Sequence, residues 1–453
     1  MCYRKIQIIY CIIALSIIAC DRKEITFHQD VKSIIHQNCA SCHNDQGAAP
    51  FSLISYTDIS KRSQMIAKVT SEKYMPPWPA NTEYSSFLNE KKITEKEVKT
   101  IIHWIEGGKK EGILTNNHLL DSILKEEVIK KPDLKINMKQ AHITNGLNQD
   151  EFLMMKFPFE LEQDTFIRKI EFIPHKKQIV HHINAHLISY NDIEKDNIFK
   201  GDYTVDTESF SDIESFQKLD LLNDDETYPL LTRSVSNYLP GSEQTEYPSG
   251  IGGFIAKKKN IILVNDFHYG PTPYQEKDSS YFNIYFTPDP PKRIIQETQL
   301  GTFGISKIIP PLVIPPNEIK SFTTRAIITK DISILTINPH MHLLGKSFLA
   351  YAVTIQQDTI PLIKIDNWNF RWQYFYTFKK MLKIPAGSEI IVEAIYDNTE
   401  NNPDNPFSPP KEISEREDFN GRGSMKTSNE MLQFIINYLP YETGDENIYL
   451  GVE

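Results

Sequence analysis

Hydrophobic and polar positions along this chain fall into three successive textures. The first is a mostly apolar run from Ile6 to Ile18, preceded by Arg4 and Lys5 and followed by Ala19-Cys20. At ~13 residues it is shorter than the ~20 a helix needs to cross a bilayer, so residues 1–20 read as an export signal and not as structure. The second texture is helical. Apolar residues recur at three- and four-residue spacing over residues 30–36, 59–69 and 94–106, which predicts three short amphipathic helices. Thr94 with Glu97 three residues later is a capping box, and Gly107-Gly108 ends that helix. Residues 109–130 are polar and rich in Lys and Glu, suiting a surface linker or a partly helical strap. From residue 131 the runs shorten and are broken by Pro, Gly and Asn, as at 166–170, 281–286 and 390–394. Many short strands with turn signals predict β-sandwiches, and about 320 residues suffice for two, placed at 131–300 and 301–453.

Composition refines this mainly by exclusion. With 453 residues, 40% hydrophobic and 24% charged, the chain is a globular one of several domains. A formal charge of -10 offers no basic footprint for nucleic acid. Of the five cysteines, Cys2 and Cys11 lie in the signal and Cys20 at its end, leaving only Cys39 and Cys42 for the body. No disulfide framework is available to it.

Those two cysteines sit in Cys39-Ala40-Ser41-Cys42-His43, the C-x-x-C-H spacing in which two thiols bond a haem covalently and the adjacent imidazole ligates its iron. A zinc half-site or a redox dithiol are the alternatives, and a zinc site would need a second ligand pair that no downstream thiol supplies. Met75, in the proline-stiffened Tyr74-Met75-Pro76-Pro77-Trp78-Pro79, is the candidate for the other axial position, with His36 and His103 as competitors.

Histidines provide a second signal. Beyond Leu187 the chain has only His268, His340 and His342, each in a distinctive context: Phe267-His268-Tyr269-Gly270-Pro271 and Pro339-His340-Met341-His342. Residues two apart on a strand share a face, so His340 and His342 can reach one metal, and imidazole suits copper or zinc. The adjacent His181 and His182 would point to opposite faces, so joint ligation requires a bulge or a strand end there. His142, His175 and His186 read as surface or hydrogen-bonded core residues.

Several of these segments resemble known families. Ile17-Ile18-Ala19-Cys20 resembles a bacterial lipoprotein lipobox, which implies a lipidated Cys20 and a protein of the cell envelope, periplasmic or at the outer surface and held to a membrane. An uncleaved transmembrane anchor is the alternative, and either leaves the body outside the cytoplasm. Cys39 to His43, Gly47, Ala49-Pro50-Phe51 and Met75-Pro76-Pro77-Trp78 are similar to a small bacterial cytochrome c domain, which implies haem c within residues 21–130.

Val180-His181-His182, Phe267-His268-Tyr269-Gly270, His340-Met341-His342-Leu343-Leu344-Gly345 and Thr427-Ser428-Asn429-Glu430-Met431 together resemble the copper type II, ascorbate-dependent monooxygenases, which include peptidylglycine and dopamine hydroxylases. The resemblance implies two copper ions. His181, His182 and His268 would hold the one that supplies an electron, and His340, His342 and Met431 the one that meets dioxygen, with Met425 the competitor of Met431. It implies hydroxylation of a C–H bond of a small organic substrate by dioxygen, with electrons from an ascorbate-like reductant or a redox protein, here through the haem. The disulfides of the animal enzymes are absent. Asn338 stands where the family has its peptide-binding arginine and Ile435 where it has a substrate-facing tyrosine, which argues against a glycine-extended peptide. The alternative function is copper and haem electron transfer without oxygenation.

Overall fold

The structure, a computed structural model, describes residues 24–45, 47–113, 131–240, 246–415 and 429–451. The export segment with Cys20, most of the stretch 109–130, Gly241, Met425 and Thr427-Ser428 lie outside the described residues. By contacts the chain divides into two units, and each is described by itself.

The described residues of the first unit are 24–41, 52–76 and 93–113. Its helices are Lys32–Asn38, entered through a π-helical turn at Phe27–Val31, then Tyr56–Ser71 and Glu95–Glu106. They cover the three stretches with helical periodicity. Thr94 and Glu97 make the reciprocal capping box, and Ser55 and Asp58 make a second. The apolar stripes meet in a small core of Phe27, Val31, Ile35, Ile59, Ile66, Ile101 and Trp104. Trp104 keeps its polar end satisfied there, since its indole N–H donates to the Lys110 carbonyl at 2.9 Å.

The second unit draws on Cys42–Phe51, Pro77–Lys92 and the chain from 131 onward, and its described residues form mainly antiparallel β structure. In its N-terminal half a four-stranded sheet, in the order Leu134–Asn137, Tyr281–Thr287, Thr165–Ile173, Phe254–Ala256, faces a five-stranded one. The five-stranded sheet runs Thr204–Asp206, Glu151–Glu160, Lys259–Tyr269, Val180–Tyr190, Leu231–Tyr238. Ile170, Phe172 and Phe282 from one sheet and Phe157, Ile183, Leu187 and Phe267 from the other fill the space between them.

The C-terminal half repeats the plan. Its four-stranded sheet is Gln296–Gly301, Leu432–Pro440, Ile332–Met341, Tyr376–Ile384, and its five-stranded sheet is Ile308–Ile309, Ile319–Ile327, Glu389–Asp397, Gly345–Val353, Thr359–Ile365. Pro77–Lys92 is built into this half: Ala80 bridges Ile365, Phe87 bridges Phe378, and both side chains lie in its core. Full burial of a side chain such as Phe87 favours the docked state by about 2–3 kcal/mol. At the junction of the halves, Arg293 exchanges backbone hydrogen bonds with Gly250 and Gly252 while its guanidinium grips Asp445.

Alternation along the strands decides what the two halves present to each other. Ile183, Ala185 and Leu187 point into the N-terminal core, so His182, Asn184 and His186 point the other way. Leu432, Phe434 and Ile436 are core residues of the C-terminal half, so Met431, Gln433, Ile435 and Asn437 face out. These two polar faces line a cleft of about 660 Å³ between the halves.

Candidate metal centres

The first centre depends on an irregularity. Val180 pairs with Tyr269 but His182 with His268, so the strand carries one extra residue at His181. A bulge lets neighbouring side chains turn to the same side, which the sequence required of an adjacent histidine pair. The Nδ1 atoms of His181 and His182 are 2.9 Å apart, and His268 Nδ1 is 3.4 Å from that of His182. Among the described residues these three form the one group of His, Cys, Asp or Glu with ligand atoms converging within 4.8 Å.

The outer nitrogens explain why Nδ1 faces inward. His182 Nε2 lies 2.9 Å from Asp266 Oδ2, and His268 Nε2 lies 2.7 Å from Asp150 Oδ1. A carboxylate holds the proton on Nε2 and leaves Nδ1 as the donor to a metal. Burial, with the neighbouring His182 and His268, pushes the His181 imidazole down to about 2, so it is neutral at ordinary pH. Burial also lowers His268.

The second group lies at the edge of the C-terminal half. His340 and His342 are 5.0 Å apart between ring centroids, at 88° to one another. His340 pairs with Gln433 and Met341 with Leu432, so one step further along that register Met431 faces His342. His342 and Met431 are buried, at 5% exposure each. Here Nδ1 is the nitrogen engaged by the protein. His340 Nδ1 bonds the Gln373 side-chain oxygen, and His342 Nδ1 is 2.7 Å from the Asn429 carbonyl. Nε2 is then the nitrogen of each ring suited to a metal.

Glu430 ties this group together. Its carboxylate accepts the His342 N–H at 2.9 Å, the Leu344 N–H at 2.7 Å and the Met431 N–H at 3.3 Å. Burial pushes Glu430 up to about 8 against the pull of those three N–H groups. The buried carboxyl fixes the strand end after His340 to the strand start at Met431.

In the stretch that carries the C-x-x-C-H motif, Cys42 and His43 belong to the β unit. His43 Nδ1 lies 3.1 Å from the Phe51 carbonyl, which leaves Nε2 as the nitrogen suited to iron. Gly47 closes the loop where a Cβ would stand 1.9 Å from the Cys42 carbonyl oxygen. The Gly47 carbonyl in turn accepts from Gln178 Nε2 at 3.1 Å, three residues before His181. In the helical unit Cys39 is half-buried and its N–H bonds Ile35. Met75 is half-buried as well, with its N–H on the Val69 carbonyl. Of its competitors, His36 places Nε2 2.9 Å from the Ile54 carbonyl and His103 is exposed on its helix.

The histidines read as bland remain so. His186 is held by the Thr232 carbonyl, His142 by Glu151 and the face of Tyr269, and His175 is about half exposed beside Asp278. Sequence reasoning missed Asp150, Asp266 and Gln373. Asp266 carried a signal, since it sits two residues before His268 on one strand. Asp150 and Gln373 come from loops and carried none.

Residues 304–405 match the family model described as copper type II ascorbate-dependent monooxygenase, C-terminal domain. That stretch contains His340, His342 and Gln373 and ends before Met431. The match supports a copper-dependent monooxygenase, an oxidoreductase using dioxygen and an ascorbate-like reductant, at the level of the family. No curated protein matches the chain.

Proposed function

We propose that this protein hydroxylates a C–H bond of a small organic substrate, with His181, His182 and His268 holding one copper and His340, His342 and Met431 a second. The balance is R–H plus dioxygen, two electrons and two protons giving R–OH and water. The carrying observation is the convergence of one ligand atom from each of His181, His182 and His268 within 4.8 Å, with His182 lining the same cleft as His340 and Met431. The donor sets fit copper: three imidazoles on one side, and two imidazoles beside a thioether, which favours Cu(I), on the other. The bound metals and haem would supply the one-electron chemistry that no side chain here provides. The chain's own part is placement. Asp266 and Asp150 orient imidazoles, Glu430 fixes Met431 to the His342 turn, and the cleft receives the substrate between the halves.

Haem c on Cys39 and Cys42, with His43 and Met75 as axial ligands, is proposed as the entry point for electrons from an external reductant or redox protein. Support comes from the loop of Cys42 and His43, which is hydrogen-bonded to Gln178 just ahead of His181. Attachment to the cell envelope through Cys20 completes the proposal. It rests on the sequence, and among the described residues no helix is long and apolar enough to cross a membrane.

The deciding measurement is the copper-to-haem ratio of the exported protein after loading and removal of loose metal, followed by turnover under labelled dioxygen. A ratio of about two, with label entering an organic product, is expected. Two coppers without incorporated label would leave an electron-transfer protein, and a ratio near zero would remove the copper reading altogether.

A further inference from the structure

The turn at residues 301–304 ends the strand Gln296–Gly301 and runs beside the strand that begins just after Met431. It is held from both sides. Thr302 N–H donates to the Leu432 carbonyl, Gly304 N–H to that of Gly301 and Ile305 N–H to that of Gln299, each at 2.8 Å. Leu432 N–H in turn donates to Thr302 Oγ1 at 3.1 Å. The two glycines are packed against backbone. At Gly301, with φ 81°, a Cβ would stand 2.0 Å from the Leu432 carbonyl oxygen, and at Gly304 one would stand 2.3 Å from that of Gln299. The backbone between them has little room to relax.

Phe303 occupies that fixed backbone at φ 58°, in the left-handed region. Glycine and asparagine enter this region readily, whereas a bulky side chain is strained there. Among the described residues nine non-glycines have positive φ, and the other eight are Asn, Asp, Glu, Gln or Lys. Phe303 is also the only one of the nine that lines the cleft. Burial does not account for the choice, since the side chain stays 44% exposed. Its position does. Gly301 pairs with Gln433 and Thr302 bonds Leu432, which brings Phe303 to the level of Met431, and both line the cleft. Strain persists where the surrounding structure enforces it, and such positions cluster at ligand sites.

We infer that Phe303 determines specificity: its ring is a wall on which the apolar body of the substrate lies beside Met431. The cleft therefore prefers a substrate that carries several contiguous apolar carbons. This rests on the proposed function only in taking the cleft as the substrate site. An apolar body laid on a half-exposed ring removes apolar surface of both partners from water, and the gain grows with each carbon covered.

The test is calorimetric binding of n-butanol, n-pentanol and n-hexanol, which share one polar head, to the reduced, oxygen-free, haem- and copper-loaded protein. Affinity should rise about threefold with each added methylene. Asparagine tolerates the left-handed backbone and removes the ring. Phe303→Asn should therefore cut the rise to about 1.5-fold or less per methylene, with a denaturant midpoint equal to or above that of the unaltered protein, because a position strained for function gives up stability for it. Phe303→Leu, which keeps an apolar side chain, should retain most of the rise. A flat series or no binding with the unaltered protein, or an unchanged rise in Phe303→Asn, would overturn the inference. So would a lowered midpoint in Phe303→Asn, which would make the ring a structural residue. Copper content, read on the same sample, reports separately on the proposed function: two coppers with a flat series would sink this inference alone.

Discussion

The two candidate centres use the same imidazole in opposite ways. On the N-terminal half the inner ligand atoms are Nδ1, and two of the outer nitrogens rest on the carboxylates Asp266 and Asp150. On the C-terminal half Nδ1 faces the protein, and its partners are the neutral oxygens of Gln373 and Asn429. An anion behind an imidazole makes it a stronger donor and favours the more highly charged metal ion. A neutral oxygen does so less, and the neighbouring thioether of Met431 favours the lower oxidation state. With copper bound as proposed, the difference would favour a higher potential at the Met431 centre than at the His181, His182 and His268 centre.

Removing the thioether is the largest way to break this contrast. Met431→Ile should cost one of the two coppers and lower turnover by on the order of 100-fold or more, with the haem spectrum and the fold kept. Metal analysis beside a turnover assay checks it, and unchanged activity would shift attention to Met425. A smaller change sharpens the other side. Asp266→Asn replaces the anion behind His182 with a neutral amide and should weaken copper there by roughly 10- to 100-fold in a chelator competition. Its potential should rise toward that of the Met431 centre. An unaltered potential would mean that the carboxylates only orient their rings.

The smallest effect concerns the junction that holds the two halves at their spacing. Burial would raise Asp445, but the Arg293 guanidinium, the Glu442 N–H and the Ser333 hydroxyl outweigh it and hold the carboxyl at about 2. Because the folded value lies below the ordinary 3.8, this contribution is complete above about pH 4 and is lost as pH falls toward 2. It amounts to about 2 kcal/mol. Asp445→Asn should therefore destabilise the protein by about that much at neutral pH and by little at pH 2, in denaturant titrations at the two values. A pH-independent loss would assign the effect to packing and not to charge.

Much of this was legible in the chain itself. Three- and four-residue spacing marked the helices at Tyr56–Ser71 and Glu95–Glu106, and the Thr94 cap was read with its Glu97 partner. His340 and His342 share a face because strand geometry is local, and so does the requirement for a bulge at His181 and His182. The C-x-x-C-H spacing is likewise a local fact. What the sequence could not supply is whatever depends on register between distant strands. His268 reaches His182 across 86 positions, and Met431 reaches His342 only through the pairing of Leu432 with Met341. The placing of Asp150, Gln373 and the Pro77–Lys92 segment was decided the same way. Alternation says which way a side chain points along one strand, whereas its partner is set by how sheets stack to bury their apolar faces, a property of the whole packed unit.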